Sequence, residues 1–488
     1  MHEDVEEDDE RPGQSAEYST PRVCEAKSIF YDDVLTKVLE HVHPLCLLPC
    51  ACLNRSLHRI VSSIKQTVTY LDVGSFLCSN NDLPCEWGRA RLTWQLGQTN
   101  NMISDRSLGL ILSHFPHVKH LSLRQCLLVQ DPDPQQTERA GGGFFDMLVD
   151  KMPTSLASLD ISFCHLLQGS RFGLRLPANL RHLTARYLEC DSFKDLMHAS
   201  RYLSLASFDI YGSRSKQSMY TYDNALLDAI CTKGDLRVLH VGNSKVFQHV
   251  DAHLLQVTLT SLKHVVSLDL SWIVEKTRGD YLIHLIAKNL TILEGLALAG
   301  LTVSDESLLL LSRECSRINR LQLVSCEGVS SKALSELMSM EKLLSFNLVQ
   351  PSSSLANVSV RSIAGQQATL TLINVCLEDL RFPIVDQVQT SRLTIVGTVG
   401  ERNQELLAAF LSRFLSLKEL YLELQGISAD DIATILATLS LPNLSTLALG
   451  EMGEEGMTAL AHLQPLESLK FRMTSRNCDR SVVESMAI

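Results

Sequence analysis

A six-residue pattern, Leu-x-x-Leu-x-Leu or a close variant, returns about every 22–30 residues along most of this 488-residue chain, and that period constrains the fold more than any other feature. Clear copies are Val118/Leu121/Leu123, Leu156/Leu159/Ile161, Leu236/Leu239/Val241, Val265/Leu268/Leu270, Leu293/Leu296/Leu298, Ile318/Leu321/Leu323, Leu343/Phe346/Leu348, Leu417/Leu420/Leu422, Leu444/Leu447/Leu449 and Leu466/Leu469/Phe471. Weaker copies begin near Val68, Arg89, Leu180, Leu205, Gln367 and Thr390. The last two apolar positions are two residues apart, so each copy is a short strand that turns both inward and the residue between them outward. One such unit cannot bury its own apolar face. Successive strands must therefore lie side by side in a parallel sheet, with the chain returning on the other side, usually as a helix.

Several returning segments are legible. VSDESLLLL from Val303, ISDRSLGLIL from Ile103, VSSKALSEL from Val329 and ISADDIATIL from Ile427 each run from an apolar residue to a Ser suited to capping and then to an apolar helical face. Eight residues after the first apolar position stand Cys126, Cys164 and Cys326, small enough to sit beneath the turn leaving the strand and read as packing. HVKHLSLRQC after ISDRSLGLILSHFP, together with INRLQLVSCEGVSSKALSEL, resembles the cysteine-containing leucine-rich repeats that follow F-boxes in many proteins. The resemblance runs from Val68 to Phe471. It implies an α/β leucine-rich-repeat solenoid over 67–473, a curved parallel sheet with helices on its convex side. The stretch 127–152, with DPDPQQTERAGGG, is expected to be a loop insertion.

Residues 28–66 follow a different period, that of three short helices. Val34, Leu35, Val38, Leu39 and Val42 form a helical stripe, Pro44 breaks the chain, Leu47, Leu48 and Ala51 open a second helix, and Leu57, Ile60, Val61 and Ile64 fall on a third. A module of about 40 residues is near the lower limit for hiding its own apolar surface. Part of that surface is expected to cap the first repeat, and the remainder to take a partner's helices.

The module resembles an F-box without gaps from Ile29 to Ile60. Ile29 and Phe30 stand at the Leu-Pro pair of that motif, Pro44 and Leu47-Leu48 at its middle, Asn54 at its Cys, Leu57 at its Trp and Ile60 at its closing apolar position. Phe30 for Pro and Leu57 for Trp depart from the pattern. The resemblance implies docking on a Skp-type adaptor, and through it on a cullin, by Ile29, Phe30, Val34, Leu35, Val38, Leu39, Pro44, Leu47, Leu48, Leu57 and Ile60. The chain is then the substrate-recognition subunit of an SCF-like ubiquitin ligase, and the alternative is a scaffold whose N-terminal helices only cap the solenoid. A target protein would meet the sheet face, where Ser122, Arg124, Asp160, Ser162, Asp269, Ser271, Gln322 and Glu423 fall outside the inward apolar positions.

Composition removes other classes. A net charge of −11 speaks against a nucleic-acid surface, and no apolar run approaches the roughly 20 residues that cross a bilayer. Fourteen Cys without a compact spacing framework are expected as reduced thiols in an intracellular compartment, cytoplasmic or nuclear. His41, His43, Cys46, Cys50 and Cys52 crowd together without the C-x2-C or H-x3-H spacing of a zinc site, so no metal is expected. No phosphate loop, nucleophile elbow or H-E-x-x-H helix is present, so neither cofactor nor catalysis is expected of this chain. Residues 1–27, opening on MHEDVEEDDE, read as a disordered acidic tail, and 474–488 as a C-terminal tail.

Overall fold

The computed structural model describes residues 47, 55–73, 102–129, 152–166, 176–190, 196, 200, 203–215, 235–244, 252–350, 368–377, 389–399, 404–461, 463 and 466–473. The chain divides into two units, 1–68 and 69–488.

In the first unit the helix Arg55–Thr67 turns Ile60, Val61 and Ile64 to one side, as their spacing demands. These three and Leu47 form a buried cluster, with Leu57 and Val68 packed against it. Lys65 in the last turn suits the negative end of the helix.

The second unit is built on one parallel sheet, fifteen-stranded among the described residues and ordered strictly along the chain from Tyr70–Asp72 to Ser468–Met473. Each strand carries the first inward position of its repeat, with the second in the strand or just past its end, and the pairs Leu121 and Leu123, Leu159 and Ile161, Leu268 and Leu270, Leu321 and Leu323, Phe346 and Leu348 are buried, while Leu469 and Phe471 of the last strand are half-buried. The weaker copies at Val68, Leu180, Leu205, Gln367 and Thr390 are strands of the same sheet, through Leu71, Leu183, Phe208, Leu370 and Leu393. The copy near Arg89 lies outside the described residues, and Tyr70–Asp72 pairs directly with His120–Ser122.

Helical returns are prominent from residue 252 onward: Ala252–Ser261, Gly279–Asn289, Asp305–Glu314, Ser331–Met338, Gln404–Leu411, Ala429–Thr438 and Glu454–Leu460. Three of the expected caps form. Ser304 accepts from the Ser307 N–H, Ser330 from Lys332 and Ala333, and Ser428 from Asp431. The caps also join neighbours, because Asp280 accepts from Ser304 at 2.7 Å and Asp305 from the Ser330 hydroxyl at 2.6 Å.

The early repeats hold a feature the pattern did not announce. Met102–Ser104, Leu127–Val129, His165–Leu166, Glu189–Cys190 and Arg214–Ser215 form a second parallel sheet. The last four follow the turn that leaves a main strand, where the chain runs extended for two or three residues and pairs with its neighbour. Leu127–Val129 was expected to begin a loop insertion and is instead one of these strands; 130–151 lies outside the described residues.

The turns share one conformation. Four residues after the first inward position, Gln125, Phe163, Tyr187, Gly212, Asn243, Trp272, Gly300 and Ser325 all have φ between 50° and 71°. This region costs an L-residue about 1–2 kcal/mol, and a hydrogen bond at each turn holds it. The N–H of Phe163 donates to Arg186 O at 2.7 Å, that of Tyr187 to Tyr211 O at 2.8 Å and that of Gly300 to Val324 O at 2.9 Å. Glycine is required where a ring from the previous repeat lies on the turn: a Cβ at Gly212 would fall 2.5 Å from the Tyr187 ring, and one at Gly300 2.3 Å from that of Trp272.

The cysteines behave as small apolar residues. Cys126, Cys164, Cys315 and Cys326 are buried free thiols among the described residues, and Cys164 donates to Leu123 O at 2.8 Å. Burial pushes the Cys326 thiol up to about 11 and the Cys315 thiol up to about 12. A folded value above the unfolded one means their contribution to stability is full below the ordinary thiol value near 9 and is lost as pH rises through the folded values. Iodoacetamide at pH 8 is expected to leave Cys164, Cys315 and Cys326 unmodified in the folded chain and to label all three in denaturant. Peptide mass spectrometry reads this, and full labelling of Cys164 in the native chain would refute it.

Candidate functional site

Two regions bear on function. In the first unit, Leu47 is 1% exposed and Ile60 8%, both within that unit's cluster. Leu57 is half-buried at its margin. Ile29, Phe30, Val34, Leu35, Val38, Leu39, Pro44 and Leu48 lie outside the described residues, as do His41, His43, Cys46, Cys50 and Cys52.

In the second unit, register brings the outward residues into rows. One residue from each strand forms a continuous row that includes Asp72, Ser122, Asp160, Thr184, Asp209, His240, Asp269, Ala297 and Gln322. Ser122, Asp160, Asp269 and Gln322, expected on a target-binding face, therefore share that row, while Arg124, Ser162, Ser271 and Glu423 stand two residues further along their chains.

Not all of these face solvent. Ser122, Ser162 and Ser271 are buried, and the expectation that they offer surface is corrected. The Ser162 hydroxyl accepts from the Arg186 N–H at 3.1 Å, joining successive turns rather than reaching outward. Asp160 and Asp269 are half-buried, and each accepts from the N–H two residues on, at 2.8 Å and 2.9 Å, an Asx turn that bends the chain out of its strand. Burial, outweighing the Ser271 hydrogen bonds and aided by Asp209, holds the Asp269 carboxyl above its usual range. Gln322 is half-buried on the face, and Arg124 and Glu423 are exposed. Arg124 lies 5.2 Å over the Phe163 ring. Glu423, which accepts from the Tyr421 hydroxyl at 2.8 Å, lines a cleft of about 300 Å³ with Glu451, Gln425 and Asn374, where pairing between Glu419–Gln425 and Thr446–Met452 stops after Leu422.

Two outward groups were not singled out from the sequence. Phe163 stacks on Tyr187 at 4.9 Å, and Tyr187 meets Tyr211 edge-on at 5.5 Å; burial, with help from Tyr187 and Asp269, pushes the Tyr211 hydroxyl up to about 12. Beside them Asp209 accepts from Arg186 Nε at 2.7 Å and faces His240 Nδ1 at 3.0 Å, while His240 Nε2 meets the Ser267 hydroxyl at 2.9 Å. Burial works to raise the Asp209 carboxyl, but hydrogen bonds from His240 and Arg186 outweigh it and hold the group below its usual range. The repeated (Leu/Phe)-Asp-(Ile/Leu) of LDIS, FDIY and LDLS carried the signal for this acidic row.

Ser267, His240 and Asp209 follow the order of a hydrolase triad, but their surroundings oppose that chemistry. Arg186 Nε donates to the same Asp209 oxygen that His240 Nδ1 faces, so the carboxylate is not the imidazole's alone. The N–H groups of Ser267 and Gly295 are bound to Arg237 O and Val266 O, so neither can hold an oxyanion. This is a cross-strand brace. Among the described residues no group of His, Cys, Asp and Glu is placed to hold a metal, and no helix is long and apolar enough to cross a membrane.

No protein-family model matches the chain. Among solved structures it is similar to TLR13 in a TLR13–ssRNA13 complex, at 16% identity and TM-score 0.37 over 79% of this chain, which spans about half (51%) of that one. It is also similar to an internalin (inlF) of Listeria monocytogenes, at 15% identity and TM-score 0.34, over 79% of this chain and 94% of that one. A third is LegL7, a leucine-rich-repeat-containing protein of Legionella pneumophila, at 13% identity and TM-score 0.28, over 78% and 93%. The recurring buried pairs and the sequentially ordered parallel sheet make the fold a leucine-rich-repeat solenoid. The solenoid's ordered rows of outward side chains are a surface suited to binding other proteins.

Proposed function

We propose that this chain is the substrate-recognition subunit of a cullin-type ubiquitin ligase, docking on a Skp-type adaptor through its N-terminal helices and holding a target protein on the solenoid. The observation that supports the reading is a separate N-terminal unit, 1–68, that precedes the repeats in sequence and includes the helix Arg55–Thr67, with Leu57 at the margin of its cluster. Ubiquitin transfer belongs to other subunits, and this chain contributes proximity by raising the target's effective concentration beside them.

The burial of Leu47 and Ile60 inside that cluster suits equally a scaffold whose helices serve only the solenoid. Leu57 separates the two readings, since it stands where the motif has Trp and is only half-buried. Leu57→Asp is expected to abolish capture of a purified Skp-type adaptor, whereas Leu57→Trp is expected to strengthen it about tenfold, as a buried aromatic anchor does at an interface. Adaptor capture indifferent to both substitutions, or absent in the unaltered chain, leaves the scaffold as the better account.

A further inference from the structure

The chain is acidic overall, yet the rim of its main sheet at the start of the early strands is not. Lys119-His120, Arg181-His182 and Arg237 enter the second, fourth and sixth strands, with Ala157-Ser158 and Ala206-Ser207 on the strands between. One backbone hydrogen-bonded row joins Lys119, Ala157, Arg181, Ala206 and Arg237. The turn before the next strand adds Lys263 and His264, and all of these cations and imidazoles are exposed. Asp235, 3.6 Å from Arg181, is the one carboxylate paired with a rim cation among the described residues. The acids further along these and the neighbouring strand are already engaged: Asp160 and Asp269 bind backbone N–H groups, and Asp209 binds Arg186. His182 registers the local field, its imidazole lowered first by burial and then by His120 and Arg181.

We propose that this rim docks an extended acidic segment of a partner protein lying across the strands. Strands about 4.8 Å apart place the cations of alternate strands about 10 Å apart, close to three residues of extended chain. A carboxylate at every third position therefore meets Lys119, Arg181 and Arg237 in turn, with Ala and Ser between them leaving room for the segment's backbone. A nucleic acid fits less well. Among the described residues the rim carries one exposed aromatic ring, Tyr70 in register with His120 at its edge, where a single strand would need a series of rings on which successive bases stack, and the net charge of −11 repels a polyanion at long range.

The inference rests on the solenoid being a protein-binding surface but is independent of adaptor docking. The probe is a fluorescein-labelled (Glu-Gly-Gly)6 peptide, titrated with the full chain in low salt and read by anisotropy. Binding is expected, weakening at least about tenfold in Lys119→Ser/Arg181→Ser/Arg237→Ser and staying unchanged in Lys342→Ser/Lys418→Ser, exposed lysines of later repeats. Arg237→Ser alone, an exposed position, is expected to weaken it about threefold and serves if the triple variant does not fold. Absence of binding by the unaltered chain, equal binding by the rim variants, or tighter rim-dependent binding of a 12-nucleotide single strand overturns the proposal. A chain that captures adaptor but ignores the peptide overturns the rim alone; one that binds the peptide but no adaptor leaves the rim standing and removes the ligase reading.

Discussion

Asp209→Ala is expected to lower the unfolding free energy by about 2–3 kcal/mol at neutral pH, the cost of leaving buried donors unsatisfied. The Asp209 side chain is 6% exposed and collects donors from three directions: Arg186, His240 Nδ1 and the Tyr211 N–H at 3.3 Å. The guanidinium is 41% exposed, so solvent screens its share, and most of the loss comes from the imidazole and the backbone N–H. Removing the charge also relieves Asp269, whose carboxyl it helps to raise, which offsets a small part of the loss. The pH dependence follows from the direction of the shift. A carboxyl held below its usual range stabilises the fold above the ordinary Asp value near 3.8 and loses that contribution as pH falls through its folded value. Urea denaturation at pH 7 and at pH 3 should therefore show a gap between variant and parent that narrows in acid. A gap of equal size at both would mean that packing, not charge, is what Asp209 supplies.

Phe346→Ala is expected to destabilise by about 3–5 kcal/mol, the range for emptying a buried aromatic site. Phe346 is fully buried and sits in register between Leu321 and Leu370. Because each repeat meets only its neighbours, a cavity at this joint weakens the coupling between the two sides more than it weakens either side. Calorimetry should then resolve two transitions where the parent chain gives one, or gives two closer together. A single unsplit transition with a loss below about 1 kcal/mol would show that the ladder redistributes the defect.

Most of the fold was legible because its signal is periodic. Positions such as Leu121/Leu123 and Leu321/Leu323 repeat at a spacing with one physical solution, and Ser304, Ser330 and Ser428 announced their helices by residue type. The second sheet was hidden because strands of two or three residues, such as His165–Leu166, carry no pattern, and Leu127–Val129 adjoins a Pro-rich stretch that suggested only a loop. The outward residues were harder still. Ser122 and Ser162 are polar and correctly placed along their strands, yet burial depends on neighbouring repeats about 24–38 residues away. The brace of Arg186, Asp209 and His240 draws on three separate strands, and the basic rim emerges only once register sets Lys119, Arg181 and Arg237 in one row.

The left-handed turns closing eight successive strands have a bearing on how such a chain changes over time. Each is fastened by main-chain groups, and residues as unlike as Gln125, Phe163, Asn243 and Trp272 occupy the position. The frame is thus indifferent to much of what it displays, like a type case that holds its shape whichever letters are set. New partners can be reached by exchanging exposed letters one at a time, while the concealed aliphatic rungs go on folding as before.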